Sequence, residues 1–295
     1  MSWVLVFTDV IPGFEDSFTV ISLFSRCVPA RTRQLTSMRL KLLLVVAMLS
    51  HAYNLTPTSS ARSTWRERMR AQRHIRPHSN PLTSRFMDMP VPSADLDFAQ
   101  TSLPLHVDIG CGKGHFCADL ATARTGELNV LGIEIRELLV DEAKRLVRLA
   151  DSPNLRFVAG SANTLIGPCC DATPGPLVSA TIQFPDPWPR RRHRKRRVVQ
   201  PALVAALAER MAPGRGTIFL MSDVCELAQE MHSMFAESGA FDEAPVELLD
   251  DEGWLLEQAR PFPIQTERER QAARRGLPVW RCMLTRNGNA ADPLD

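Results

Sequence analysis

The chain has 295 residues, 44% hydrophobic and 23% charged, enough apolar material for one large domain with appendages; this composition excludes a disordered or collagen-like chain. The formal net charge of +2 is unevenly distributed: residues 1–87 carry 12 Lys and Arg against 4 Asp and Glu, and the remainder 23 against 29. Seven cysteines occur without a C-x-x-C pair or a Cys/His cluster at zinc spacing, which argues for reduced thiols and against a metal site; the adjacent Cys169 and Cys170 read as loop residues.

In chain order, Met38-Arg39-Leu40-Lys41 precedes the apolar run Leu42 to Leu49, too short to span a bilayer as a helix. Thr56 to Arg73 is rich in Ser, Thr and Arg, with Glu67 its only acid, as in organelle transit peptides. Together they have the form of a two-part leader for a plastid surrounded by extra membranes, the alternative location being cytoplasm or nucleus. Met1 to Ser37 reads as lying upstream of the true start. The expected division is a leader at 1–61, a basic arm at 62–100, a catalytic domain at 101–288 and a tail at 289–295.

From Leu103 onward, strand and helix signals alternate. Strands are predicted at Leu105 to Ile109, Asn129 to Ile135, Leu155 to Ala159, Ser179 to Phe184 and Thr217 to Ser222. Helices are predicted at Phe116 to Ala123, Glu137 to Ala150, Pro201 to Ala212 and Cys225 to Glu237. This alternation means an α/β fold, a mostly parallel central sheet with helices on both faces.

Asp108-Ile109-Gly110-Cys111-Gly112-Lys113-Gly114 falls where the first strand turns into the first helix, the edge at which open parallel sheets bind ligands. Its spacing is G-x-G-x-G, not the G-x-G-x-x-G of a dinucleotide binder. Glu134, ending the second strand, suits the two ribose hydroxyls of an adenosine. Asn163, just after the third strand, suits the adenine edge, with Ile135 and Ala162 beside these two. Three successive strand ends so equipped point to S-adenosylmethionine.

Phe184-Pro185-Asp186-Pro187-Trp188-Pro189 follows the fourth strand, and its two prolines fix Asp186 at the sheet edge. Arg190 to Arg197 comes next, eight residues of which seven are Lys or Arg. So close to the reaction centre, this run is expected to contact phosphates, with Arg194 and Arg197 reaching along an RNA backbone and Arg190 at the active-site mouth.

These motifs, with Ser222-Asp223, Thr266-Glu267-Arg268-Glu269 and Ile75-Arg76-Pro77-His78-Ser79-Asn80-Pro81-Leu82, resemble the bacterial and organellar tRNA (guanine-N7)-methyltransferases over roughly Arg76 to Arg286. The resemblance implies a Rossmann-like S-adenosylmethionine-dependent methyltransferase acting on tRNA, usually on the guanine at position 46 of the variable loop. It implies that Asp108, Glu134, Asn163 and Asp186 hold the cofactor, with Asp186 nearest the chemistry. Arg190, Asp223, Thr266, Glu267, Arg268 and Glu269 then hold the tRNA guanine. Asp108 stands where Glu is frequent, Asn163 where Asp is, Ser222 where Thr is and Arg190 where Lys is; each keeps the functional group required.

Guanine N7 already has an exposed lone pair, so its methylation needs no general base. Asp186 and Asp223 are expected to favour the positive charge growing on the purine, and Asp223 and Glu269 to accept from its N1–H and amine. The alternatives are a methyltransferase acting on another RNA base or a small molecule, of which methylation of an adenine or cytosine amine would normally show an N-P-P-Y-like motif in place of F-P-D-P-W, and a non-catalytic RNA-binding subunit of the same fold. The sequence leaves open whether a partner subunit takes part.

Overall fold

The computed structural model describes residues 79–83, 96–150 and 152–288, the side chains of 146–150 excepted. The leader, most of the arm and the tail read from the sequence lie outside these residues. Five strands, β1 (Leu105–Ile109), β2 (Asn129–Glu134), β3 (Leu155–Ala159), β4 (Leu177–Gln183) and β5 (Thr217–Ser222), pair in parallel. Beyond β5 the sheet is completed by β6 (Phe241–Glu243) and β7 (Trp280–Arg286) in the order β3-β2-β1-β4-β5-β7-β6, both β7 pairings being antiparallel. The order reverses beside β1, which opens a crevice at the carboxyl ends of β1 and β4.

The connecting helices are α1 (His115–Ala123), α2 (Glu137–Ala150), α3 (Ala162–Asp171), α4 (Pro201–Arg210), α5 (Cys225–Ala236) and α6 (Glu267–Arg274). Phe116 and Leu120 of α1 and Val140 of α2 pack with Phe157 on one face of the sheet. Leu165, Leu203 and Phe235, from α3, α4 and α5, pack in the larger cluster with Val107, Ile133 and Ile182. Leu96 and Phe98, within the stretch assigned to the basic arm, are seated in that larger core as well.

Cys169 and Cys170, expected in a loop, lie instead in α3. Pro168 there removes one backbone donor, but Ala162, Leu165, Ile166 and Cys169 make a buried stripe that carries the helix through it. The third residue of α6 donates its backbone N–H to the hydroxyl of Thr266, a helix cap at 3.1 Å that fixes where the helix begins.

Candidate active site

A cleft with about 690 Å³ of empty space opens at the carboxyl edge of the sheet. Of the residues expected at the cofactor, Gly110, Glu134, Ile135, Ala162, Asn163 and Asp186 line it. Asp108, Gly112 and Gly114 do not. Gly110 has φ +81°, a left-handed conformation that favours glycine, and a Cβ there would meet nothing within 4 Å, so the backbone can approach a ligand. Gly114, at φ +77°, is glycine for a second reason as well: a Cβ would fall 2.4 Å from the Phe157 ring.

Glu134 is 3% exposed and densely bonded. Its carboxylate accepts the backbone N–H of Gly112 at 3.0 Å and of Arg136 at 2.9 Å, and the Arg136 guanidinium at 3.0 and 3.2 Å. Burial opposes the charge on Arg136, but its hydrogen bond to Glu134 and the charges of Glu134 and Asp186 outweigh this and hold the guanidinium charged. Arg136 lines the cleft and was not singled out in the sequence; its place two residues after Glu134 is the only signal for it. Asn163 donates its amide to the carbonyl of Val198 at 2.8 Å, leaving its buried Oδ1 without a hydrogen-bond partner. A buried acceptor on a cleft wall fits the exocyclic amine of an adenine.

The turn carrying Asp186 is braced from both ends. Phe184 and Trp188 adopt φ of +50° and +39°, conformations that cost non-glycine residues about 1–3 kcal/mol each and persist only where the surroundings enforce them. Here the Phe184 N–H donates to the carbonyl of Met221 at 2.7 Å, and Pro185 and Pro187 lock the backbone on either side of Asp186. The Trp188 ring has His193 edge-on at 5.7 Å and the Arg196 guanidinium over it at 5.1 Å. Ser79, Trp188 and Arg196 also line the cleft, and none of them had been assigned there from sequence.

The basic run divides. Arg197, expected on an RNA backbone, is instead 3% exposed: its Nε donates to the carbonyl of Pro187 at 2.8 Å and its terminal nitrogen pairs with Glu230 of α5. Arg194 pairs with Glu226 and lies 3.9 Å from Glu230. An arginine this close to its own chain's acids becomes a strut for the turn. Arg190, Arg191, Arg192 and Lys195 are exposed.

The expected guanine-holding residues do not line the cleft; Arg190 precedes the basic turn after β4, and the others collect past the end of β5. Asp223 pairs with Arg268, joining that strand end to α6. Thr266 caps the helix, and Glu267 is exposed. Glu269, expected to accept from guanine, is 2% exposed, with one carboxylate oxygen taken by Arg260 at 2.8 Å and the other by Arg281 at 2.9 Å. Buried to this degree, its carboxylate is held inside the protein by the two arginines. Among the described residues no group of three or more His, Cys, Asp or Glu is placed to hold a metal, and no helix is long and apolar enough to cross a membrane.

Residues 102–282 match a family profile described as "Putative methyltransferase". The chain is 43% identical over 223 residues to a tRNA (guanine-N(7)-)-methyltransferase of Prochlorococcus marinus, covering 75% of this chain and 91% of that one. Relatives of the same description from Synechococcus elongatus and Thermosynechococcus vestitus are 41% and 42% identical, covering 73% and 72% of this chain and 98% and 94% of theirs. Identity at this level over nearly the whole length of the relatives settles membership: the chain belongs to the tRNA (guanine-N7)-methyltransferase family.

Proposed function

We propose that this protein transfers a methyl group from S-adenosylmethionine to N7 of a guanine in tRNA, with the guanine at position 46 of the variable loop as its target. The observation that carries this reading is the position of Asp186: on the cleft wall, in a turn locked by two prolines, between the acceptors Glu134 and Asn163 and the basic turn. The names of the relatives support the same substrate and the same purine atom.

The bound cofactor supplies an electrophilic methyl group on a sulfonium. Glu134 would accept the ribose hydroxyls of the cofactor, and the Asn163 Oδ1 would accept its adenine amine. Gly110 keeps the first turn open. The carboxylate of Asp186 favours the positive charge that develops on the purine, a contribution already in place before reaction. Past β5, Asp223 and the turn Thr266 to Glu269 make the guanine side, and Arg190 begins the phosphate-contacting surface.

Nucleoside mass spectrometry of tRNA incubated with protein and cofactor tests the reading. It predicts 7-methylguanosine, mapping to the variable loop; a different methylated nucleoside would refute it. We also propose plastid targeting, on the strength of the two-part leader at Met38 to Arg73. A reporter carrying residues 38–75 should enter the plastid, and one retained in the cytosol would count against it.

A further inference from the structure

One face of β1 and β4 carries four buried polar side chains, His106, Asp108, Ser179 and Thr181, where apolar residues would be the default. The strand register sets His106 opposite Ser179 and Asp108 opposite Thr181. The hydroxyl of Ser179 lies 2.7 Å from His106 Nδ1, His106 Nε2 lies 3.3 Å from the Thr181 hydroxyl, and that hydroxyl donates to Asp108 at 2.6 Å. Phe116 and Phe262 close around the imidazole with ring centroids at 6.2 and 5.0 Å.

The direction of every bond follows from proton counting. Burial pushes His106 down to about 3, so at neutral pH it is uncharged and has one N–H. An ionised Asp108 only accepts, so the single proton of the Thr181 hydroxyl goes to it. Thr181 must then receive the Nε2–H of His106, and the bare Nδ1 must accept from Ser179. With Asp108 ionised, the chain fits together only with His106 as the Nε2–H tautomer.

We propose that Ser179, His106 and Thr181 are a positioning chain that holds Asp108 as an anion beneath the glycine loop, where its charge favours a cationic cofactor. This rests on the reading of Asp108 as part of the cofactor site. Asp108 directly precedes Ile109 and Gly110 of the cleft wall, yet its own carboxylate is turned inward. Burial raises its pKa, hydrogen bonds from Thr181 and Cys117 lower it, and the charge of Glu134 raises it again. The thiols of Cys111 and Cys117, the other titratable groups facing it, are pushed up by burial and stay neutral. Loss of one donor therefore makes Asp108 easier to protonate.

Thr181→Val keeps the side-chain shape and removes the donor. Its affinity for S-adenosylmethionine, measured by calorimetry from pH 5 to 9, should be about tenfold weaker at neutral pH, the scale of a lost hydrogen bond to a charged group. The acid-side loss of affinity should begin at higher pH than in the wild type. Glu134, the carboxylate whose charge acts on Asp108, is common to every variant, so the difference between variants reports on Asp108. Thr181→Ser should restore both properties. His106→Gln, which keeps a donor for Thr181, should stay closer to wild type than His106→Leu. In protein labelled with ¹⁵N-histidine, the resonance lost in His106→Gln should be a neutral Nε2–H imidazole. An Nδ1–H tautomer would overturn the proposal, even if no valine variant folds. Wild-type binding by Thr181→Val beside weak binding by Asp108→Asn would dismiss the chain. Wild-type binding by both would dismiss Asp108 from the cofactor site.

Discussion

On the side of the cleft proposed for the cofactor, Glu134 and Asn163 are acceptors fixed at or just past strand ends, whereas on the side proposed for RNA the charges sit on a short 3-10 turn and at the start of an eight-residue helix. On that second side Arg194, Arg197 and Glu269 are bonded to the protein's own charges. A small ligand can be met by groups prearranged in the interior, because a sheet edge holds them without further support. A polyanion has to be met at the surface, and there the charges nearest the chain are recruited to brace the turn that carries the rest. The density of a basic run therefore says little about how many of its members reach RNA.

Truncating a strut gives the sharpest separation. Arg197→Ala leaves Glu230 without its buried partner and frees the carbonyl of Pro187, so it should destabilise the fold by about 3 kcal/mol. Thermal unfolding reads this, and an unchanged melting temperature would break the division between struts and contacts. Asp186→Asn keeps the shape of the reactive turn and removes its charge, so single-turnover methylation should slow by about 10²-fold or more while tRNA affinity changes little. A near-normal rate would remove Asp186 from the electrostatic role. Glu134→Ala should weaken S-adenosylmethionine binding by about 1.5–3 kcal/mol in calorimetry; unchanged affinity in a folded variant would contradict a prearranged cofactor side. Smallest is the effect of the exposed cations. Arg191→Ala, Arg192→Ala and Lys195→Ala should each flatten the log-affinity against log-salt plot for tRNA by roughly 0.7–0.9. Arg190→Ala should lower turnover as well, because Arg190 follows Asp186 by only four residues. Wild-type slopes in all of them would place the docking surface elsewhere.

The parallel half of the sheet was legible because β1 to β5 are short apolar runs bounded by turns, and their ends carry the Gly-rich loop, Glu134 and Asn163. α3 was hidden by Gly167-Pro168-Cys169-Cys170, since proline and paired cysteines read locally as a loop while tertiary burial makes them helical. β7 is antiparallel and alternates buried with half-buried residues, two of them the arginines 281 and 286, so its apolar signal is diluted. At the site, the motifs marked Asp186, which lines the cleft, and the basic run that follows it. Which arginine turns inward depends on Glu226 and Glu230 of α5, some 30 residues away in sequence, and no local pattern encodes that pairing. The pairing of Glu269 was hidden in the same way, because its partners Arg260 and Arg281 flank it at distances in sequence that suggest no contact.

The central claim is that N7 of one guanine is the nucleophile and that no other group on the base is needed for attack. A tRNA assembled with 7-deazaguanine in place of the guanine at position 46 keeps the Watson–Crick edge and the backbone but has no N7 lone pair. The account predicts that this tRNA binds the protein and accepts no methyl group at that position. Methyl transfer to it at the rate of unmodified tRNA would contradict the account.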